Sequence, residues 1–316
     1  MKNLFCISSG LALLLVTVAP GDAQITVEPG QQAASYTLKY NGRPILVYTF
    51  APGAYKPYIK ELCTVNGDNI LRDSPFDHLH HHALMYAIKV NGVNFWEEVS
   101  GNGVQKVVKT EAPVSTQAGS AAQTTIEQTL HWLRPEDAFL PNTNAPALLV
   151  EKRTLKLTVD PTTKEVAVHW RSQFEVGTRT NEVVLTGANY HGLGMRFIQE
   201  FDSLANHSFP EGKPDLANGK QDTSPHPWAA VSFDHPQKPA TVVLFGDPRN
   251  ARGSPTFFSM KTPFAYLSAT QALDREPLIY HSGDTFELNY LVCVYPGVVS
   301  HGSLLARAKQ WESSSR

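Results

Sequence analysis

Long runs in which apolar and polar residues alternate with a period of two narrow most sharply what this chain can fold into. Successive side chains on a strand point to opposite faces, so such a run buries one face and wets the other. The clearest pair is Leu149 to Val159 and Val166 to Val176, joined by Asp160-Pro161-Thr162-Thr163-Lys164. In the second run Val168, Trp170 and Phe174 share one face and His169, Arg171 and Gln173 the other, which predicts a long antiparallel hairpin. Ser35 to Tyr40 and Pro44 to Phe50 flank Asn41-Gly42, a dipeptide that tolerates the positive φ angles of a two-residue hairpin turn. Val104 to Val108, Thr124 to Trp132, Val183 to Leu185, Thr241 to Phe245 and Phe286 to Tyr295 are further strand candidates. Only Leu304 to Trp311 carries a helical stripe, and it is short. With 22 Pro and 21 Gly punctuating the loops and almost no crossover helices, the expected fold is all-β, a large antiparallel β-sandwich with a short C-terminal helix. The polar stretches Gly119 to Ala122, Pro141 to Ala145 and Pro210 to Pro227 read as insertions rather than linkers, so residues 24–316 are taken as a single β-sandwich domain.

Residues 1–23 read as a signal peptide: Lys2, an apolar run from Leu4 to Val18, and the exit Pro20-Gly21-Asp22-Ala23. The run is shorter than the roughly 20 residues that span hydrocarbon. Cleavage after Ala23 is expected to leave a periplasmic or secreted protein beginning at Gln24. The longest later apolar stretch, Tyr290 to Val299, is broken by Pro296 and Gly297, so no stable membrane insertion is expected after cleavage. With 27 basic and 29 acidic residues, and no Lys/Arg block, nothing favours nucleic acid as a partner. Cys63 and Cys293 remain after Cys6 is removed. An oxidising compartment permits a bridge between them, but their apolar neighbours favour two buried thiols.

Four of the 12 histidines fall in five consecutive positions, His78-Leu79-His80-His81-His82, directly after Asp77. In an extended segment, residues two apart project to one side about 6.6 Å apart. His78, His80 and His82 would then converge on one ion or one sugar-sized ligand, with Asp77 orienting an imidazole through its second nitrogen. The spacing fits no zinc signature, and a cupin-like His-x-His would want a Glu where this chain has Ala83, Leu84 and Met85. No metal site or cofactor is therefore predicted; a divalent metal on His78, His80 and His82 stays as an alternative. The absence of a Gly-x-Ser-x-Gly elbow, a phosphate loop and a His-Glu-x-x-His motif argues against acyl transfer, nucleotide binding and zinc proteolysis.

Six segments carry a family resemblance. They are Pro57 to Leu62 with Asn66-Gly67, Pro75 to His81, Val90 to Trp96, Tyr190 to Phe197, Val231 to Pro236 and Gly283 to Tyr290. Together they resemble the secreted bacterial family that carries the label "methane oxygenase PmoA". The family's usual Asp-His-Pro-His-His-(Arg or Thr)-Gly-Leu is replaced here by Leu79, His82 and Ala83, so the resemblance assigns no role to His82. Particulate methane oxygenases are assemblies of membrane-spanning helices with a redox metal, and this chain has no such span after residue 23, so the label is expected to be a misassignment. The fold the resemblance implies is the galactose-mutarotase-like supersandwich, whose concave face binds sugars. Relatives among secreted carbohydrate-processing proteins include some acting on 3-keto-glycosides.

Sugar chemistry on such a platform wants an acid, a base and an aromatic floor. His80, His81 and His191 are the candidate catalytic residues, the last flanked by Gly192 and Gly194 that let backbone approach a ligand. His78, Asp77, Trp96, Glu97 and Arg196 are candidate substrate-binding residues: Trp96 as stacking surface, Glu97 or its neighbour Glu98 as nearby carboxylate, and Arg196 to hold a hydroxyl or carboxylate. Each has a plainer alternative. Trp96 can be core, His191 a loop imidazole, Arg196 a structural ion pair, and Asp234-His235-Pro236 a strand-end cap. Glu287, between Phe286 and Leu288, should face outward if they face the core. The expected function is a secreted carbohydrate-active enzyme (epimerase, lyase or hydrolase) using histidine acid/base chemistry on a small-molecule or oligosaccharide substrate. A non-catalytic glycan-binding protein and a His-ligated metal enzyme are the alternatives.

Overall fold

The expected long hairpin forms, with Leu149 opposite Val176 and Asp160 opposite Glu165. The computed structural model describes residues 24–31, 34–138, 145–212, 216 and 222–314; the signal-peptide reading falls outside them, as does most of Pro141 to Ala145. Among the described residues one nine-stranded antiparallel sheet runs Ile25–Pro29, Ser35–Tyr40, Arg43–Thr49, Tyr58–Leu62, Leu84–Ala87, Gly192–Arg196, Tyr266–Thr270, Thr256–Met260, Asp222–Pro225. A second runs Ala205–Ser208, Trp228–Phe233, Ala240–Gly246, Thr285–Pro296, Glu165–Val176, Leu149–Asp160, Ala121–Leu133, Val104–Thr110, with Val114–Ala118 also paired to Ala121–Leu133. Leu278–His281, Glu182–Thr186, Lys89–Val90 and Val93–Asn94 make a small four-stranded sheet. Asn41 and Gly42 take φ of 49° and 79°, as a two-residue hairpin turn requires.

The expected antiparallel sandwich is the fold observed. Val168, Trp170 and Phe174 of the second sheet join Tyr48, Ile59, Tyr86, Leu193 and Met195 of the first in one hydrophobic interior. Helix His301–Ser314 lays Leu304, Ala308 and Trp311 on the opposite face of the second sheet, against Ala167, Trp228, Phe245 and Cys293. Cys63 belongs to the inner cluster and Cys293 to the cluster under the helix; both are buried free thiols. No helix of the described residues is long and apolar enough to cross a membrane.

Several strands had no period-two signal. Leu84–Ala87, Gly192–Arg196, Trp228–Phe233 and Tyr266–Thr270 are buried at every position, because another layer covers the face turned from the interior. A strand covered on both sides has no polar face to display. The insertion Pro210 to Pro227 likewise contains the edge strand Asp222–Pro225, and Ala121 and Ala122 begin a strand rather than end a loop.

The inward face of Leu149–Asp160 carries two charges, Glu151 and Arg153, which are 0% and 1% exposed. Arg153 Nε and Nη2 donate to the two Glu151 oxygens at 2.7 and 3.0 Å, and Trp132 Nε1 and Ser172 Oγ donate to the same carboxylate. The guanidinium also donates to Pro57 O and Gln105 Oε1 and lies 4.6 Å from the Trp170 ring centroid. Removing one member of a fully satisfied buried pair strands the other, at about 3–5 kcal/mol. Glu151→Ala should therefore lower the unfolding free energy by that amount, read in urea as a lower midpoint at an unchanged m-value. Arg171→Ala, which breaks the part-exposed Arg171–Glu287 pair, should cost about 1 kcal/mol or less. Equal losses in the two variants would show that the buried pair has no special weight.

Candidate functional site

The histidine segment is not extended, and this changes which imidazoles meet. His78 N–H donates to Pro75 O and His81 N–H to His78 O, both at 2.9 Å, so residues 75–81 form two successive turns. Residues three apart then share a side: the His78 and His81 rings stack at 4.6 Å, with His80 edge-on to His81 at 4.7 Å. The expectation that His78, His80 and His82 converge is corrected by this geometry, because His82 points elsewhere. Among the described residues no three His, Cys, Asp or Glu side chains are arranged to hold a metal ion.

His82 closes the neck of the loop. Its Nδ1 lies 2.8 Å from Asp73 Oδ1, its Nε2 2.9 Å from Glu98 Oε1, and its ring stacks on Tyr58 at 4.0 Å. Buried Lys56 donates to Glu98 Oε1 at 2.6 Å and to Trp96 O at 3.0 Å, tying the loop to the Trp96 segment. Burial opposes charge on His82, but hydrogen bonds to Asp73 and Glu98 outweigh it and raise its pKa; the reciprocal bonds lower both carboxylates against the same burial.

The other candidates gather on the first sheet, on the face turned from the interior. Tyr86, opposite Leu193, packs against Trp132 and Phe174 of the second sheet, so Gly192, Gly194 and Arg196 face outward with Tyr266, which is opposite Arg196. The expected stacking floor is covered: Trp96 is 1% exposed, its ring parallel to His191 at 4.7 Å and edge-on to Tyr190 and His81. The flanking glycines serve neighbouring strands rather than a ligand. A Cβ on Gly192 would lie 2.1 Å from Ala269 O, and one on Gly194 would lie 1.9 Å from Tyr266 Oη. Arg196 is 2% exposed, with its guanidinium carbon 3.2 Å from the Phe264 ring centroid. Asp77 and His78 sit at the rim, where Asp77 Oδ2 reaches 3.0 Å from His78 Nδ1. Glu97 is exposed and accepts from Asn94 Nδ2. Phe76 and Leu79 stand exposed at the tips of the turns. Tyr266 and Phe264 had no signal in the sequence, since only strand register brings them under the histidines.

This layer concentrates buried polar atoms without partners: His81 Nδ1, Trp96 Nε1, His191 Nδ1, Arg196 Nε and Nη1, and Tyr266 Oη. Burial, reinforced by neighbouring positive groups, pushes His81 and His191 down to about 3, so both imidazoles are neutral at physiological pH. Burial also lowers His80, and Arg196 falls to about 10 while remaining a cation. The second sheet's outer face offers a contrasting cleft of about 670 Å³ lined by His169, Arg171, Asp247, Arg249, Glu287 and Asn289. There Glu287 accepts from Arg171 at 2.9 and 2.7 Å and from Gln173 and Asn289, which hold it near 2; its bonding capacity is already used.

The pattern of the family described as "Family of unknown function (DUF6807)" matches residues 35–309. The chain belongs to the DUF6807 family. No curated protein matches this DUF6807 protein. Among solved structures it is similar to the GH36 alpha-galactosidase AgaB from Geobacillus stearothermophilus, at 12% identity and a TM-score of 0.46 over 85% of this chain and 40% of that one. A Glycoside Hydrolase Family 97 enzyme from Pseudoalteromonas sp. strain K8 gives 8%, 0.40, 85% and 33% for the same quantities. The Slr1438 protein from Synechocystis sp. PCC 6803 gives 8% and 0.33 over 90% of this chain and all of that one. The DUF6807 chain thus spans less than half the length of either glycosidase.

Deleting a hydroxyl that has no partner should not destabilise, so Tyr266→Phe should be neutral or raise stability by up to about 1 kcal/mol, whereas Gly194→Ala should cost about 1–3 kcal/mol through overpacking. A loss above about 1 kcal/mol in Tyr266→Phe would mean the hydroxyl is partnered. For the loop neck, the raised His82 contributes fully below its ordinary 6.5 and loses its contribution as pH rises through its folded value. Asp73 and Glu98 contribute above their ordinary 3.8 and 4.5 and lose it as pH falls through their lowered values. The stability gap between wild type and His82→Gln, measured by urea unfolding across pH, should be widest between about 4.5 and 6.5. A gap that widens toward pH 8 would contradict the clamp.

Proposed function

We propose that this DUF6807 protein is an exported carbohydrate-active enzyme whose ligand lodges against His80, His81, His191 and Arg196. The observation that carries this reading is the concentration of partnerless buried donors and acceptors on one covered sheet face. Buried polar groups in folded proteins are nearly always satisfied, and an exception calls for a water, an ion or a ligand. Each neutral imidazole donates one hydrogen bond and accepts another, which matches the hydroxyl and carbonyl oxygens of a sugar.

The division of labour follows from the environments. His81 and His191, deprotonated even in mild acid, bind and polarise oxygen rather than donate protons. His80 is only half-buried at the mouth, and its lowered pKa keeps it unprotonated at neutral pH, so it serves as the base. A base-initiated reaction at a sugar carbon, epimerisation or elimination, suits this set better than hydrolysis driven by a histidine acid. The weak basicity of His81 and His191 also supports a second reading, glycan binding without turnover.

The test is proton exchange and product formation followed by NMR across a panel of sugars, keto-sugars and glycosides. His80→Ala should lower turnover by about 100- to 10,000-fold with little change in affinity. His191→Ala should weaken binding by roughly tenfold. Unchanged behaviour in both variants removes their roles, and binding without turnover in the wild type establishes the second reading.

A further inference from the structure

Resting on the carbohydrate reading above, we infer that the sugar taken by this site is an acidic one, carrying a carboxylate that pairs with Arg196. The guanidinium is nearly sealed from solvent, yet Nε and Nη1 have no acceptor. Its nearest carboxylate oxygen, Asp77 Oδ2, is 3.9 Å away on a part-exposed side chain, beyond hydrogen-bond reach. Asp202, the other acid that acts on it electrostatically, uses Oδ1 to accept from Ala265 N–H at 2.9 Å. Cation–π contact with Phe264 holds the guanidinium flat but supplies no hydrogen-bond acceptor. A buried arginine is stable when an anion completes its hydrogen bonds, and a planar carboxylate matches its geometry.

The surroundings narrow the anion further. Trp96 Nε1 can only donate, and the Tyr266 hydroxyl and the two imidazoles can each donate, so the unpartnered set is richer in donors than in acceptors. That imbalance suits an acceptor-rich group. With Asp77 and Asp202 already acting on Arg196, and only Arg72 as a second cation beside it, a singly charged carboxylate meets less repulsion here than a doubly charged phosphate. Exposed Phe76 and Leu79 on the covering turns give the rim apolar surface for the C–H face of a pyranose.

The experiment is calorimetric titration of the full chain with glucuronate, galacturonate and mannuronate, each against its neutral hexose, with acetate and inorganic phosphate as anion controls. At least one uronate should bind ten-fold or more tightly than its hexose and than either control. Arg196→Gln should bring that ratio close to one, while Arg196→Lys retains part of it. Equal or tighter binding of the neutral hexose overturns the acidic-sugar inference and leaves the carbohydrate reading standing. Acetate or phosphate binding as tightly as every uronate overturns the inference in favour of simple anion binding. No binding by any sugar overturns both. The wild-type ratios decide the matter even if Arg196→Gln fails to fold.

Discussion

Two large sheets share one hydrophobic interior, and the strict alternation of side chains then decides where chemistry can occur. A long strand such as Glu165–Val176 commits Val168, Trp170 and Phe174 to the interior, leaving only its other face for polar work. The same rule on Gly192–Arg196 sends Leu193 inward and Gly192, Gly194 and Arg196 outward. Each sheet therefore has one outer face, and the two faces are used differently. Helix His301–Ser314 and the Arg171–Glu287 cluster occupy one, while a layer of imidazole, indole and phenol rings covers the other.

The two faces differ in how far their hydrogen bonds are completed: His169 Nε2 is the one open buried atom lining the cleft of the second sheet, against six in the histidine layer of the first, among the described residues. Inside the sandwich, Glu151 and Arg153 are fully partnered although both charges are desolvated. Glu287 on the second sheet is likewise saturated by its own neighbours. Among the described residues the largest group of open buried donors and acceptors lies beneath the histidine turns, with a smaller one at His131, Arg134 and Asp137, and the turns themselves are braced by the Lys56, Glu98, His82 and Asp73 chain. That framework fixes the turns, and the fixed turns set His78 and His81 face to face. Open hydrogen bonds beneath turns braced by their own ion pairs suit ligand recognition through preorganised hydrogen bonds.

The sandwich itself was legible from alternation wherever a strand had one wet face, as the register of Leu149–Asp160 with Glu165–Val176 shows. Where both faces are covered the signal was uneven: Trp228–Phe233, whose residues divide between the interior and the layer under the C-terminal helix, showed none, whereas Ala240–Gly246, divided in the same way, was expected from Thr241 to Phe245. Within the site, His81, His191 and Arg196 were recognisable as unusual, but their arrangement was not. The turns at Pro75 to His81 replaced the period-two geometry on which the grouping of His78, His80 and His82 depended. Trp96, readable from sequence as stacking surface or as core, is covered by other rings, and composition does not show which ring covers another. Tyr266 and Phe264 lie some 70 residues beyond Arg196 and meet it only through strand pairing and ring contact.

The central claim is that one ligand completes the open hydrogen bonds on the outer face of the first sheet. A crystal structure with a bound sugar tests it most directly. The account predicts ligand density between His81, His191 and Arg196, with oxygens within about 3 Å of the imidazole, indole and guanidinium nitrogens. Density seated instead in the cleft beside Arg171 and Glu287, with the histidine layer unchanged and holding only water, would contradict it.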